Sequence, residues 1–162
     1  MWHLWEGQKM CKYTEDELRE FIVEAKVNTY AGQGNSTDSS RKNSLDLPYE
    51  KGSFNYLDSY LGSRDFAGEE IVWHEDIPVW GMNYYGKVLP ETAPEGFGEF
   101  LKKALSMVEK SNPYRGIEYF RLDGFEYFCN IDGELDDFSG KESISFGGKT
   151  IYKLYFHGGG LK

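Results

Sequence analysis

Asp65-Phe66-Ala67-Gly68-Glu69-Glu70 places three carboxylates within one short segment, and paired carboxylates serve as acid and base when burial drives their pKa values apart. Neighbouring residues at a strand entry point to opposite faces, so Glu69 and Glu70 do not converge by themselves. A solvated turn is the alternative. His157 stands in Tyr155-Phe156-His157-Gly158-Gly159-Gly160, where glycines permit close approach of a ligand or another segment. With Glu70 or Asp46 orienting it, His157 would act as the base of a small hydrolase or transferase; otherwise it is a hydrogen-bonded strand-end histidine. His3 and His74 form no ligand spacing with it, so no metal site is expected. Gly32-Gln33-Gly34 follows a helical pattern instead of a strand and lacks a third glycine, so it is no nucleotide fingerprint and no cofactor is expected. Arg41 and Arg115 fall in or beside loops, where a guanidinium either holds an anion in bidentate fashion or pairs with the chain's own acids.

Aromatic residues number 4 Trp, 12 Tyr and 11 Phe. Most must be core, yet aromatic faces beside carboxylates also form a cage for a cation. The leading expectation is a small-molecule binding or sensing module for a cationic or amphipathic ligand. Tyr56, Trp80 and Tyr84 are its expected walls, with Arg41, Asp46, Glu69, Glu70 and His157 as its polar fixers. The alternatives are the His157 enzyme and a non-catalytic interaction subunit.

At 162 residues, 40% hydrophobic and 28% charged, the chain has the composition of one globular domain over residues 1–162. A net charge of −9 argues against nucleic acid as partner. The sequence holds neither a membrane-length apolar run nor the pattern of a signal peptide, and Cys11 and Cys129 have no redox or metal spacing. A cytoplasmic protein with reduced thiols is expected, monomeric or a weak homodimer.

The elements that must carry these residues read as α+β. Thr14 and Glu17 have capping-box spacing, and Leu18, Phe21, Ile22 and Ala25 follow as one helical stripe that should stop near Gly32. A polar loop spans residues 32–44. Strand-like alternation then covers residues 46–60, 69–74 and 77–85. A second helix follows on Phe97, Phe100, Leu101, Ala104, Leu105 and Val108, with a capping box expected at Thr92 and Glu95 and an end at Asn112-Pro113. Strands are expected over 116–122, 125–130, 143–146 and 149–157, with turns at Asp123-Gly124, Asp132-Gly133 and Gly147-Gly148. Antiparallel sheet carrying two main helices is the fold class this order implies.

Sliding the chain by 72 residues carries Gly52 onto Gly124, Asp65-Phe66-x-Gly68-x-Glu70 onto Asp137-Phe138-x-Gly140-x-Glu142, Met82 onto Leu154 and Gly86 onto Gly158. The spacing is that of a pseudo-two-fold duplication over 14–86 and 95–158, each copy a helix followed by four strands, with Glu70 and Glu142 as mates facing a shared cleft.

Thr29-Tyr30-Ala31-Gly32, Ser40-Arg41-x-x-Ser44-x-Asp46-Leu47, Tyr56-x-Asp58-x-Tyr60, Phe66-x-Gly68-Glu69-Glu70, Trp80-x-Met82-Asn83-Tyr84-Tyr85-Gly86 and Phe156-His157-Gly158-Gly159 together resemble the uncharacterised prokaryotic family numbered 5680 among domains of unknown function. The resemblance implies no activity. Its members sometimes follow a helix-turn-helix domain, which implies a sensor or effector role, and no such domain is expected ahead of Thr14 here. Arg41-Lys42-Asn43-Ser44 and Arg115-Gly116-Ile117 stand where Arg-Pro-Gly-Ser and Arg-Gly-Pro are expected of relatives.

Overall fold

The computed structural model describes residues 13–29 and 38–162. Gly32, His3, Cys11 and residues 32–37 of the polar loop expected over 32–44 lie outside them. Helix α1 (Glu15–Asn28) starts at the expected box: the Thr14 hydroxyl accepts from the Glu17 amide at 3.2 Å, and Glu17 accepts from the Thr14 amide at 2.7 Å. Its stripe of Leu18, Phe21, Ile22 and Ala25 is buried. Helix α2 (Phe97–Ser106) departs from expectation at both ends. It begins at Gly96 in a left-handed conformation (φ 83°) without any side-chain cap, so Thr92 and Glu95 cap nothing, and it stops before Val108. Glycine there reverses the chain at once, and the amphipathic stripe of Phe100, Leu101, Ala104 and Leu105 then holds the helix by burial instead of by capping.

Among the described residues, eight strands form one antiparallel sheet: β1 (Leu45–Lys51), β2 (Phe54–Gly62), β3 (Asp65–His74), β4 (Ile77–Val88), β5 (Tyr119–Leu122), β6 (Phe125–Glu134), β7 (Asp137–Phe146) and β8 (Lys149–Gly160). Their order is β1-β2-β3-β4-β8-β7-β6-β5, two four-strand meanders joined through their last strands. Glu75-Asp76, Asp123-Gly124 and Gly147-Gly148 make tight turns with positive φ at both residues, the conformation that matches the strand twist. Asp132-Gly133 is instead inside β6. Gly133 (φ 99°) is needed for closeness: a Cβ there would stand 2.2 Å from the Asp137 carbonyl oxygen, and the same contact holds between Gly62 and Asp65.

Both halves place four strands in the same order behind a helix. Their bulges fall at Val72/Trp73 and Ile144/Ser145. In each half, aromatic rings fill the space over strand glycines: Tyr84 over Gly68 and Phe66 over Gly86, then Phe156 over Gly140 and Phe138 over Gly158.

Both helices pack on the same face of the sheet. Phe21 stacks on Phe54 at 4.8 Å and Phe100 on Phe125 at 5.0 Å, and beneath them the core holds Tyr56, Val72, Trp80, Met82, Tyr84, Tyr127, Ile144, Tyr152, Leu154 and Phe156. Alternation sends the intervening residues of β3, β4, β7 and β8 to the opposite face, which no helix among the described residues covers. No helix among the described residues is long and apolar enough to cross a membrane.

Candidate functional site

The sheet separates the expected site residues into two groups. Tyr56, Glu70, Trp80 and Tyr84 lie on the helix face, at 2%, 2%, 0% and 6% exposure. Arg41, Glu69 and His157 line a groove of about 810 Å³ on the open face, and of the other four only Tyr84 borders it. Asp46 is on that side too, but buried at the edge.

On the helix face the aromatic and carboxylate groups do surround cations, and the cations are the protein's own. Arg115 holds Glu142 with Nε at 3.0 Å and Nη2 at 3.2 Å, while its Nη1 lies 3.8 Å from Glu70. Tyr127 and Tyr152 each donate to Glu142 at 2.7 Å, and Lys26 pairs with the other oxygen of Glu70. Lys26 also sits 5.9 Å from the Trp80 ring centroid, and Arg115 5.4 Å from that of Tyr84. Glu70 and Glu142 therefore do meet, at Arg115 inside the core. Burial pushes the Glu142 carboxyl upward, but Arg115 and the two tyrosines outweigh it and hold it below the ordinary range. Burial likewise depresses Lys26, with Glu70 opposing.

Asp58 is the odd member. It lies opposite Glu70 across β2 and β3 and accepts from Tyr84 Oη at 2.6 Å. Burial and the Glu70 charge raise its pKa to about 7, against the pull of Tyr84, Lys26 and Arg115. With Asp58 protonated, Lys26 and Arg115 balance Glu70 and Glu142. Its ionisation leaves one negative charge unmatched. Tyr56 Oη is buried beside these carboxylates with no hydrogen-bond partner, and burial first, then Glu70 and Asp58, raise its pKa far above the usual phenol value.

At the sheet edge, Asp46 accepts from Ser44 Oγ at 2.8 Å, Ser59 Oγ at 2.6 Å and the Ser40 amide at 2.8 Å. Burial works against its charge, but these serine donors prevail and lower its pKa. Arg41 Nη2 donates to the Ser59 carbonyl and hydroxyl, both at 2.8 Å. The cluster pins residues 40–46 to β2, and Asn43 turns the loop with φ 63°. Asp46 thus fixes a loop and does not reach His157, which lies on β8, four strands along the sheet and on the order of 19 Å away. Glu70 is on the other face from His157. The expected pairing of His157 with either carboxylate is therefore absent, because the sheet separates all three.

The open face is organised by the β4–β8 register. Asn83 stands opposite His157, Tyr85 opposite Tyr155 and Lys87 opposite Lys153. Tyr85 and Tyr155 are 51% and 54% exposed, so two tyrosines on paired central strands reach solvent from the middle of the sheet. Lys141 stands opposite Tyr155 on β7, its Nζ 5.8 Å from that ring centroid. Sequence reading missed Tyr85, Tyr155, Asn83, Lys87, Lys141 and Lys153 as a group. The alternations Asn83-x-Tyr85-x-Lys87 and Lys153-x-Tyr155-x-His157 were visible, but their juxtaposition requires the β4–β8 pairing, which no local pattern encodes. Cys129 is buried and inert: burial pushes its thiol up to about 12.

Residues 58–161 match the model of a family described as a domain of unknown function, DUF5680. The match includes both tyrosines, both halves of the β4–β8 ladder and the acidic cluster, and leaves out α1 with Lys26 and the Arg41 loop. No curated protein and no solved structure matches the chain.

Proposed function

Because the chain belongs to the DUF5680 family, whose description names no activity, we propose from its geometry that it is a binding or sensing module that takes an amphipathic small molecule on its open sheet face. One observation carries this reading: Tyr85 and Tyr155, half-exposed and cross-strand partners, both line a groove of about 810 Å³. Neither ring has a structural task there, since the core is filled from the other face, and an exposed aromatic pair on a central strand pair is a ready stacking surface. The cationic ligand considered from the sequence loses its support. Asp58 and Glu70 are buried across the sheet, Asp58 accepting from Tyr84 and Glu70 answered by Lys26 and Arg115, so of those carboxylates only Glu69 remains on this face.

The test is a thermal-shift screen of amphipathic ring compounds against the wild-type chain and the Tyr85→Ala/Tyr155→Ala variant. A ligand at a hundred times its Kd stabilises the fold by about 2.7 kcal/mol. Stabilisation that the double variant loses is expected. Shifts that survive the double substitution, or none from any compound, refute the platform.

We further read residues 1–162 as one domain built from two copies of a helix-plus-four-strand unit. Equal strand order, bulges 72 residues apart and four matching ring-over-glycine contacts support that reading. A second functional reading, an interaction subunit or homodimer through the same face, is favoured by Tyr119 and Phe128, exposed neighbours with centroids 4.9 Å apart. Sedimentation equilibrium decides it: a monomer at high concentration removes the homodimer.

A further inference from the structure

We infer that the open-face ligand is a small phosphorylated heteroaromatic molecule of the mononucleotide class, an inference that rests on the platform reading above and specifies its occupant. Lys87 and Lys153 are direct cross-strand partners, and like charges placed opposite one another destabilise a sheet. Asp65 answers Lys87 at 3.1 Å. Lys153 has no carboxylate within ion-pairing distance among the described residues, and neither has Lys141, although the chain carries 27 acids against 18 bases. Lys153 and Lys141 thus carry positive charge beside the two half-exposed tyrosines with no carboxylate among the described residues to answer it, Lys141 standing over the Tyr155 ring, and an anion seated there would be their partner.

The spacing sets the shape of that anion. Two residues along a strand separate the tyrosine row from the Lys87–Lys153 row by about 7 Å. A base stacked on Tyr85 and Tyr155 would carry its phosphate across a sugar by a reach of that order. Asn83 and His157 flank the rings on the opposite side and offer donors and acceptors to a ring edge. A plain hydrocarbon ring would leave them unused. Glu69 and Asp132 line the groove along with Arg41 and Lys141, and the chain as a whole is at −9. One phosphate is therefore favoured over a nucleic-acid strand, whose successive phosphates would meet like charge at the edges.

The experiment titrates the full chain by isothermal calorimetry with the four common 5′-ribonucleoside monophosphates, their nucleosides, ribose 5-phosphate, inorganic phosphate and a ten-residue oligothymidylate. At least one monophosphate is expected to bind ten-fold or more tightly than its nucleoside and than ribose 5-phosphate. Lys141→Gln/Lys153→Gln should reduce that affinity to the nucleoside's level. Amide chemical-shift mapping on the wild type should localise the site to the β4–β8 ladder, which guards against a variant that misfolds. If nucleosides bind as well as monophosphates and the lysine substitutions change nothing, the phosphate assignment falls while the platform stands. Binding of no ring compound overturns both, and tighter binding per nucleotide by the oligomer replaces the small molecule with a strand. Shifts mapping away from the ladder overturn the site.

Discussion

Asp58→Asn should make the protein more stable, and more so as the pH rises. In the folded chain the Asp58 carboxyl titrates at about 7, against an ordinary 3.8, because burial and Glu70 disfavour its charge. A carboxyl whose folded pKa is raised binds more protons in the folded state than in the unfolded state, so its contribution to stability is whole below the unfolded pKa and is lost as pH rises toward 7. Roughly three pKa units at 1.36 kcal/mol each give a ceiling of about 4 kcal/mol at pH 8. Asparagine keeps an oxygen to accept from Tyr84 and adds an N–H for the carboxylate or phenol beside it, so little of that ceiling is surrendered to an unmet polar group. A gain of about 2–4 kcal/mol is expected at pH 8, or roughly 5–12 °C in Tm for a chain of this length. At pH 5 the gain should shrink by half or more, because the wild-type carboxyl is then protonated in the fold. Urea unfolding of both chains at pH 5 and pH 8 measures the double difference, in which the other titrating groups cancel. A variant that is less stable at pH 8, or whose advantage does not depend on pH, refutes the placement of Asp58 as the unmatched member of the cluster.

Glu142→Gln should have the opposite effect. It leaves Arg115 buried without its bidentate partner, for a loss of about 3–5 kcal/mol by urea titration at pH 7. Because the Glu142 pKa is lowered in the fold, its contribution is present above the ordinary carboxylate range and fades as pH falls through the folded value; the penalty of the substitution should therefore diminish in acid. Gly68→Ala and Gly140→Ala should each destabilise by more than about 2 kcal/mol, since a Cβ would stand 2.1 Å from the Tyr84 ring and 2.2 Å from the Phe156 ring. Thermal melts that show one penalty large and the other negligible would count against equivalence of the halves. Asp46→Ala removes the acceptor that fastens Ser40, Ser44 and Ser59; limited proteolysis should then cut within residues 38–44 while the sheet stays intact.

Where the chemistry is local, the sequence was legible. Thr14 and Glu17 sit within one turn of each other, and the capping box they spell is the one that forms. Asp123-Gly124 and Gly147-Gly148 carry the glycines that take positive φ freely, and they turn. The extent of β3 and β7 was underestimated, because Asp65–Gly68 and Asp137–Gly140 look like polar turns until Tyr84 and Phe156 are known to lie over their glycines. Those rings come from neighbouring strands, so no window along the chain contains both partners. The same holds for the site. Tyr56, Trp80 and Tyr84 were expected as walls and Glu70 as a polar fixer of a ligand, yet the cations beside Trp80, Tyr84 and Glu70 are the chain's own, Lys26 on α1 and Arg115 in the segment before β5.

The axis suggested by the two halves passes near Tyr84 and Phe156, which are paired across β4 and β8, and this bears on where function can reside. A shift of 72 residues carries Asn83 onto Tyr155, Tyr85 onto His157 and Glu69 onto Lys141, so on the open face the mates differ in chemistry at each of these positions. Inside the core, Glu70 and Glu142 are kept, as are the glycines beneath the rings. Scaffold positions need only repeat what already packs, since a ring over a strand glycine works equally in either half. A site straddling the axis gains from divergence, because two identical half-sites cannot grip the unlike ends of one asymmetric ligand. These differences fall at Tyr85, Tyr155, His157 and Lys141, which face solvent and which packing leaves free to differ, whereas a ring lying over a strand glycine holds both partners.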